Sequence, residues 1–556
     1  MKPAIYSTLS TQDVASFLES TQSLIKSGQE TRAVLDSVRA QVENGTGTVM
    51  PKMLGELLGS MTEKDEVRVL DAVTEGVSAF HDSHGVMPTA DVVEAAIQQG
   101  MSAFKGIDQR GNILDSATSN RHDQISLQPN RAVVAILTAI AEAIPFASYL
   151  PVDIASNQSK LAIVSHLADS LYGDYVKGGL MDGIAAGDVY TSSQRMAKFD
   201  ITGTQPFNTK IAQTNLTATP GYCDPAGTGI PVLRGRTIIF VNGVPVGTDS
   251  ASGAAANSPL SLTASIGVTS YAIAGFVTVA TGVVQLTTVS PTFPVGTEVI
   301  AQGFVDYEAA PALIPNVIVR ADVYDIFANP WRVKTGISID AQGQIRNELG
   351  LDANSEALMA IRTQMAMERH YQSLRMAWNL GYNNQVSYDF QYSTQILQKT
   401  RSQIWQDFAS VIANADQKMA NDTMDHGITH LYVPAFVAAQ MQSLPSELFV
   451  SSGIAARPGI YRVGRLFGKY EVYYSPKVVT QATNLTTATI LAVGRSSQVA
   501  RCPIVLGDAV SPTFLPLAMG SDLVAGSAMY ARDFTVANPH LPSALGCARI
   551  NITNLA

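Results

Sequence analysis

Hydrophobic and polar positions along this chain change period several times, and each change marks an element. Between Thr11 and Gly28, "TQDVASFLESTQSLIKSG" predicts one amphipathic helix with a Thr cap and a Gly stop. "TEKDEVRVLDAVTEGVSAFHDSHG" and "TADVVEAAIQQGMSAF" predict two more, each opened by Thr and early acids that suit a helix N-terminus. A polar, irregular stretch from Gly106 to Ser126 predicts a linker, and an apolar helix follows over 130–144. From 155 to 200 the pattern fails: glycines at 173, 178, 179, 183 and 187 punctuate short apolar pieces. That texture predicts an extended excursion that needs a job or a partner.

Over 213–315 the period becomes two, with frequent turns. "RTIIFVNGVPVG" predicts a hairpin about Asn242-Gly243, the pair favoured in a type I′ turn. The region predicts a small β-sandwich or barrel. Strand-like sequence resumes at "NVIVRADVYDIF", so the module reads as inserted into a host domain. In "RVKTGISIDAQGQI", Val333, Ile337, Ile339 and Ile345 alternate loosely and predict a strand. A Gly-Leu-Asp corner follows, and Leu358, Ile361, Met365, Leu374 and Trp378 then take helical spacing. A second long helix is predicted with Leu397, Ile404, Phe408, Val411, Ala415 and Met419 on one face. The remainder reads as strand, helix and several strands, an α+β domain.

Composition narrows the classes of function. The chain has 556 residues, of which 46% are hydrophobic and 15% charged, against about a quarter charged in ordinary globular chains. Its mean hydropathy is +0.12. The best candidate for a membrane span, Ala132–Leu150, is broken by Glu142 and Pro145. Extensive burial between subunits therefore explains the low charge better than a bilayer does. A net charge of −9 disfavours non-specific nucleic-acid binding by the whole chain. Because the N-terminus lacks a secretory pattern, the cytosol is the expected compartment. Cys223, Cys502 and Cys547 lie far apart and read as isolated reduced thiols.

Candidate chemistry is sparse. The sequence carries no HExxH, GxSxG, Walker A or GxGxxG motif. The closest histidine pairs, His81/His84 and His426/His430 (beside Asp425), read as solvated turn histidines rather than metal ligands. The carboxylates Asp340/Glu348 and Asp407/Asp416 read as solvated faces. The acid at Asp352 would repel the phosphate that a P-loop helix attracts, so the corner is architectural. No catalytic, cofactor-binding or metal-binding residue is expected.

Four segments carry a resemblance in a fixed order: "IRNELGLDANSEALMAIRTQMAMERH" (345–370), "THLYVPAFVAAQM" (429–441), "VGRLFGKYEVYYSP" (463–476) and "AMYARDFTVANPHLP" (528–542). Together they resemble the major capsid proteins of tailed bacteriophages, particularly the large myovirus type, over roughly residues 130–210 and 316–556. The resemblance implies an α+β, HK97-like capsid fold with a helical N-terminal region, an extended E-loop, a spine helix and an inserted all-β domain. It divides the chain into 1–129 (N-terminal helical region and arm), 130–212 (start of the capsid fold, with the E-loop at about 155–200), 213–315 (the insertion), 316–425 (peripheral domain with the spine helix) and 426–556 (axial domain and closing strand). Tyr172, Gly173, Asp174, Tyr175 and Lys177 become candidate intersubunit contacts of the E-loop.

The implied function is a structural one: self-assembly into an icosahedral head enclosing double-stranded DNA. Implied partners are further copies in hexamers and pentamers, scaffold, portal and decoration proteins, and packaged DNA held only non-specifically, with no membrane. The implied location is the virion capsid, assembled in the host bacterial cytoplasm. Some relatives remove an N-terminal segment on maturation, and Leu54-Gly55-Glu56 is similar to a short processing site; retention and removal both stay open. A tail sheath, decoration protein, adhesin or encapsulin-like shell is the alternative structural reading.

Overall fold

The computed structural model describes residues 14, 16–17, 51–105, 129–152, 157–517 and 524–555. The helix expected over Thr11–Gly28 lies almost wholly outside the described residues, and the linker expected over 106–126 lies wholly outside them. The chain divides into two compact units, one formed by residues 1–163 with 323–556 and the other by 164–322. The first unit mixes helix and strand.

Four N-terminal helices are described: α1 (Lys52–Leu58), α2 (Glu63–His84), α3 (Ala90–Lys105) and α4 (Pro129–Ala141). Helix α2 stops at Gly85, whose φ of 67° closes its last turn. The apolar stripes of α2 (Val69, Val73, Val77, Phe80), α3 (Val93, Ala96, Ile97) and α4 (Ile136, Ile140) bury together. Their cluster is continuous with Tyr432, Tyr473, Leu491, Val493, Ile504 and Leu506 from the sheets that follow. The helices thus share one core with the rest of their unit. Leu54, the first residue of the processing-like tripeptide, and Leu57, which follows it, are fully buried inside α1 and its packing.

A seven-stranded sheet forms the centre of this first unit. Its order is Gln385–Asp389, Cys547–Thr553, Ala488–Gly494, Ile428–Val433, Tyr470–Tyr474, Tyr461–Leu466, Phe449–Ser451. Two helices complete that core: α7 (Arg401–Thr423) and α8 (Ala435–Gln442). Of the face expected for α7, Ile404, Phe408, Ala415 and Met419 are fully buried. Leu397 lies before the helix and is 83% exposed.

The second sheet of this unit has four strands, Ser148–Tyr149, Ile504–Leu517, Val524–Ala537 and Asn329–Ser338. The strand expected over 332–345 ends at Ser338, where a second helix begins: α5 (Ile339–Leu349). Ser338 Oγ accepts the Ala341 amide at 3.3 Å, a capping bond that offers the backbone an alternative to further strand. The joint is therefore helix to helix. Gly350, at φ 69°, closes α5, and α6 (Ala353–Leu380, 28 residues) starts at once. The Asp352 carboxylate accepts the Asn354 amide at 3.2 Å and the Ser355 hydroxyl at 2.7 Å. Those bonds hold its pKa below the ordinary carboxylate range.

The second unit is all-β apart from short turns. One sheet runs Phe207–Lys210, Val283–Ser290, Thr269–Thr278, Asn257–Ile266; the other runs Asn215–Leu216, Thr219–Cys223, Gln194–Lys198, Val299–Phe304, Ile238–Val241, Val244–Thr248. In Asn257–Ile266 every second residue, Ser258, Leu260, Leu262 and Ala264, is buried, the period of a half-buried strand. The Asn242-Gly243 hairpin forms with φ of 50° and 75°, the signs a type I′ turn needs.

The expected boundary at 213 falls inside this unit, which begins near 164. Gln194–Lys198 pairs with Val299–Phe304, and Phe207–Lys210 with Val283–Ser290, so residues before 213 are integral strands of its sheets. The chain enters and leaves the unit through Gln158–Ala168 and Val317–Phe327, which pair as a two-stranded ribbon. Ala328 N donates to Asn157 O at 3.0 Å, and Asp169 N to Asn316 O at 2.9 Å. These two bonds bracket an antiparallel ladder.

Candidate functional site: assembly surfaces

The Gly-rich stretch folds back on its own unit. Tyr172 is 1% exposed and Tyr175 6%; both pack with Tyr190, Phe199 and Ile211. The Arg195 guanidinium lies 3.9 Å above the Tyr172 ring, a cation–π contact. Asp174 is half-buried and accepts the Val189 amide at 2.9 Å, the Asn215 side-chain amide at 3.0 Å and the Gly221 amide at 3.0 Å. Gly173 has φ of 64°, and a Cβ there would come within 1.8 Å of Val189 O. Four of the five candidate contacts are thus internal packing, turn and hydrogen-bonding residues. Within the chain itself, the Tyr172 and Tyr175 rings are covered by their own unit. Lys177 is the member that faces solvent, paired at 3.8 Å with Asp169. Sequence pattern could not separate the two cases, because a compact turn and an extended arm use the same glycines.

The first unit leaves a different surface open. Its Asn329–Ser338 strand, the paired outer parts of Ile504–Leu517 and Val524–Ala537, α5 and the first half of α6 form a lobe that packs on a small cluster of Met365, Met529 and Ala531, with Trp331, Ile361 and Phe514 at the margin. No residue of α5 is buried. Leu349 is 67% exposed and Met359 63%, with Val333, Ile339, Leu351, Leu515 and Leu517 also open. Large apolar side chains left open on these neighbouring elements make a candidate interaction face. No sequence motif announces it; the signal was a helix with two apolar ends and little behind it.

One charged cluster ties the lobe to the body. Arg369 of α6 meets Asp508 Oδ1 at 2.8 Å and Asp533 Oδ2 at 3.2 Å, all three largely buried. Trp331 Nε1 donates to Asp533 Oδ1 at 2.5 Å. Burial pushes the Asp533 carboxyl up, opposed by the guanidinium. Asp416, expected on a solvated face, instead accepts the Ile428 amide at 2.6 Å and the Tyr470 hydroxyl at 3.2 Å, and pairs with Lys469.

The histidines also differ from expectation. His81 is exposed, but His426 and His430 are buried and His84 is half-buried. Burial holds His430 down to about 3 and His84 to about 4, with nearby arginines adding to both shifts. Sheet formation places His430 on the inward face of Ile428–Val433, a placement that turn-like sequence around Gly427 concealed. All three cysteines are free and buried. Among the described residues, no group of three or more His, Cys, Asp or Glu could hold a metal ion, and no helix is long and apolar enough to cross a membrane.

No family model matches the chain, and no curated protein matches it. Solved structures do. The chain is similar to that of the icosahedrally averaged capsid of the jumbo bacteriophage PhiKZ at 10% identity and a TM-score of 0.36, over 73% of this chain and 91% of that one. It is similar to a chain of Microbacterium phage Oxtober96 at 11% identity and a TM-score of 0.29, over 54% and 87%. A chain of the holo-SrpI encapsulin complex from Synechococcus elongatus matches at 10% identity and a TM-score of 0.28, over 43% and 78%. At these TM-scores each is a similarity only, and the functional reading rests on the chain's own surfaces.

Proposed function

We propose that this chain is a major capsid protein of a tailed bacteriophage, built to assemble with copies of itself into an icosahedral head around double-stranded DNA. The open apolar side chains of this lobe, with Leu349 and Met359 at 67% and 63% exposure beside the small cluster of Met365, Met529 and Ala531, carry the proposal. A lobe packed on so small a cluster gains little burial of its own, and neighbouring copies would supply the rest. Many modest contacts of this kind add up when each subunit is held by several neighbours. In this reading α6 is the spine helix of a peripheral domain, and the seven-stranded sheet belongs to the axial domain. The paired strands Gln158–Ala168 and Val317–Phe327 take the place of the E-loop, which keeps the arm in the first part of 155–200 and pairs it with a strand from beyond the insertion. Residues 164–322 are the insertion, and Lys177 is a surface contact on it.

Hexamers and pentamers, scaffold, portal and decoration proteins remain the proposed partners. The net charge of −9 suits a wall that holds packed DNA without gripping it.

Electron microscopy and light scattering on the purified chain, alone and with co-expressed scaffold, test the proposal. Shells, rings or tubes are expected. The double variant Leu349→Asp with Met359→Asp should stay folded, because neither side chain is buried, yet lose those assemblies. Monodisperse monomers of the unaltered chain under every condition would overturn the reading.

A further inference from the structure

Three imidazoles from three distant parts of the sequence meet around one pair of tyrosines. Tyr432 and Tyr473 sit on neighbouring parallel strands and stack with ring centroids 5.4 Å apart. His84, at the last turn of α2, has Nδ1 3.3 Å from the Tyr473 hydroxyl. His370, in α6, has Nε2 3.3 Å from the Tyr432 hydroxyl. His430 bonds Thr429 Oγ1 at 2.7 Å, and its ring lies 5.8 Å from that of Tyr473. Phe146, which follows α4, is within 6.4 Å of the rings of both His370 and His430. A cavity of about 240 Å³ adjoins the cluster, bordered by Phe80, Pro145, His430 and Arg495.

This is the joint at which the N-terminal helices meet the body of their unit. We propose that the joint is an acid-operated latch: the uncharged imidazoles hold α2 and the helices behind it in place, and their protonation releases those helices.

The charges around the cluster set the direction. Arg457 and Arg462 act on His84, Arg495 acts on His430, and His84 acts on both other histidines. Arg465 and Lys469 line the cavity wall. Among the described residues, two carboxylates face this group, and each is already engaged. Glu471 is held by Arg462 at 2.7 Å and Arg465 at 2.6 Å; Asp91 is held by Arg495 at 2.9 Å. A proton added here meets cations and, among the described residues, no free acid. Burial holds His84 down to about 4 and His370 and His430 to about 3 while the joint is closed. The released chain returns them to about 6.5, so it binds more protons in the interval between. Docking is therefore complete above that ordinary value and weakens as the pH falls toward the closed-state values. Each charge gained makes the next harder to hold in place, so opening is cooperative.

The test measures backbone amide exchange across Glu63–Lys105 in the full chain from pH 7.5 to 4, corrected for intrinsic rates, beside exchange at each imidazole C–H. Protection of α2 and α3 should collapse over a narrow acidic interval. His84→Gln and His430→Gln should each move that midpoint down by about one pH unit. His81→Gln, on the same helix but exposed, should leave it in place. An unchanged midpoint in both cluster variants would overturn the latch. So would titration of His84, His370 and His430 near the ordinary value in the unaltered chain, a readout that stands even if a variant fails to fold. Neither readout depends on assembly, so failure here and failure of the shell reading are separable.

Discussion

Arg369 shows how much one side chain carries in this structure. It holds two largely buried carboxylates, Asp508 and Asp533, and joins α6 to both long strands of the lobe. Removing the guanidinium leaves those charges unpaired, which typically costs about 3–5 kcal/mol. Arg369→Met should therefore lower the denaturant midpoint strongly at pH 7. Burial already pushes the Asp533 carboxyl up, and without the guanidinium to oppose it the penalty is present at neutral pH and fades as that group protonates. The gap between variant and parent should narrow at pH 4.5; an equal gap at both pH values would assign the loss to packing instead. None of this was legible beforehand. Arg369 sat in a helix with ordinary charge spacing, and its partners lie 139 and 164 positions further along the chain.

At the scale of elements, the helices were the readable part. The stripes of α2, α3, α6 and α7 follow the 3.6-residue period, and the Asn242-Gly243 hairpin follows from turn chemistry alone. Two expectations hold only in part, for physical reasons. Within 155–200, residues 158–168 are an extended strand, whereas the glycine spacing further on reports backbone freedom and not compactness, and Tyr172 and Tyr175 are buried. The alternation through Ile337, Ile339 and Ile345 fits strand or half-exposed helix equally, and the Ser338 cap selects helix after the first of them. The Gly350 corner needs only a left-handed residue, since a Cβ there would meet nothing within 4 Å. Gly350→Ala should thus cost about 1–2 kcal/mol, seen as faster amide exchange at the end of α5 and the first turn of α6. Exchange across the second unit should not change.

For the whole molecule, the decisive feature is the ribbon. Asp169 and Asn316 bond across its far end, so the whole intervening segment leaves from and returns to adjacent points on one antiparallel ladder. Replacing residues 169–316 with Asn-Gly should convert the ribbon into an ordinary hairpin. The first unit should then keep its unfolding transition in calorimetry while the transition of the second disappears; loss of both would show that the first unit cannot fold without the second. Adjacent strands lie about 4.7–4.9 Å apart, and many globular domains have termini that close together. The ladder is in that sense a socket: a foreign domain with neighbouring ends, such as an antigen or an enzyme, would plug into it without asking the host to rearrange. If shells form, such a graft would be displayed once per subunit, at a density fixed by the lattice and not by chemistry.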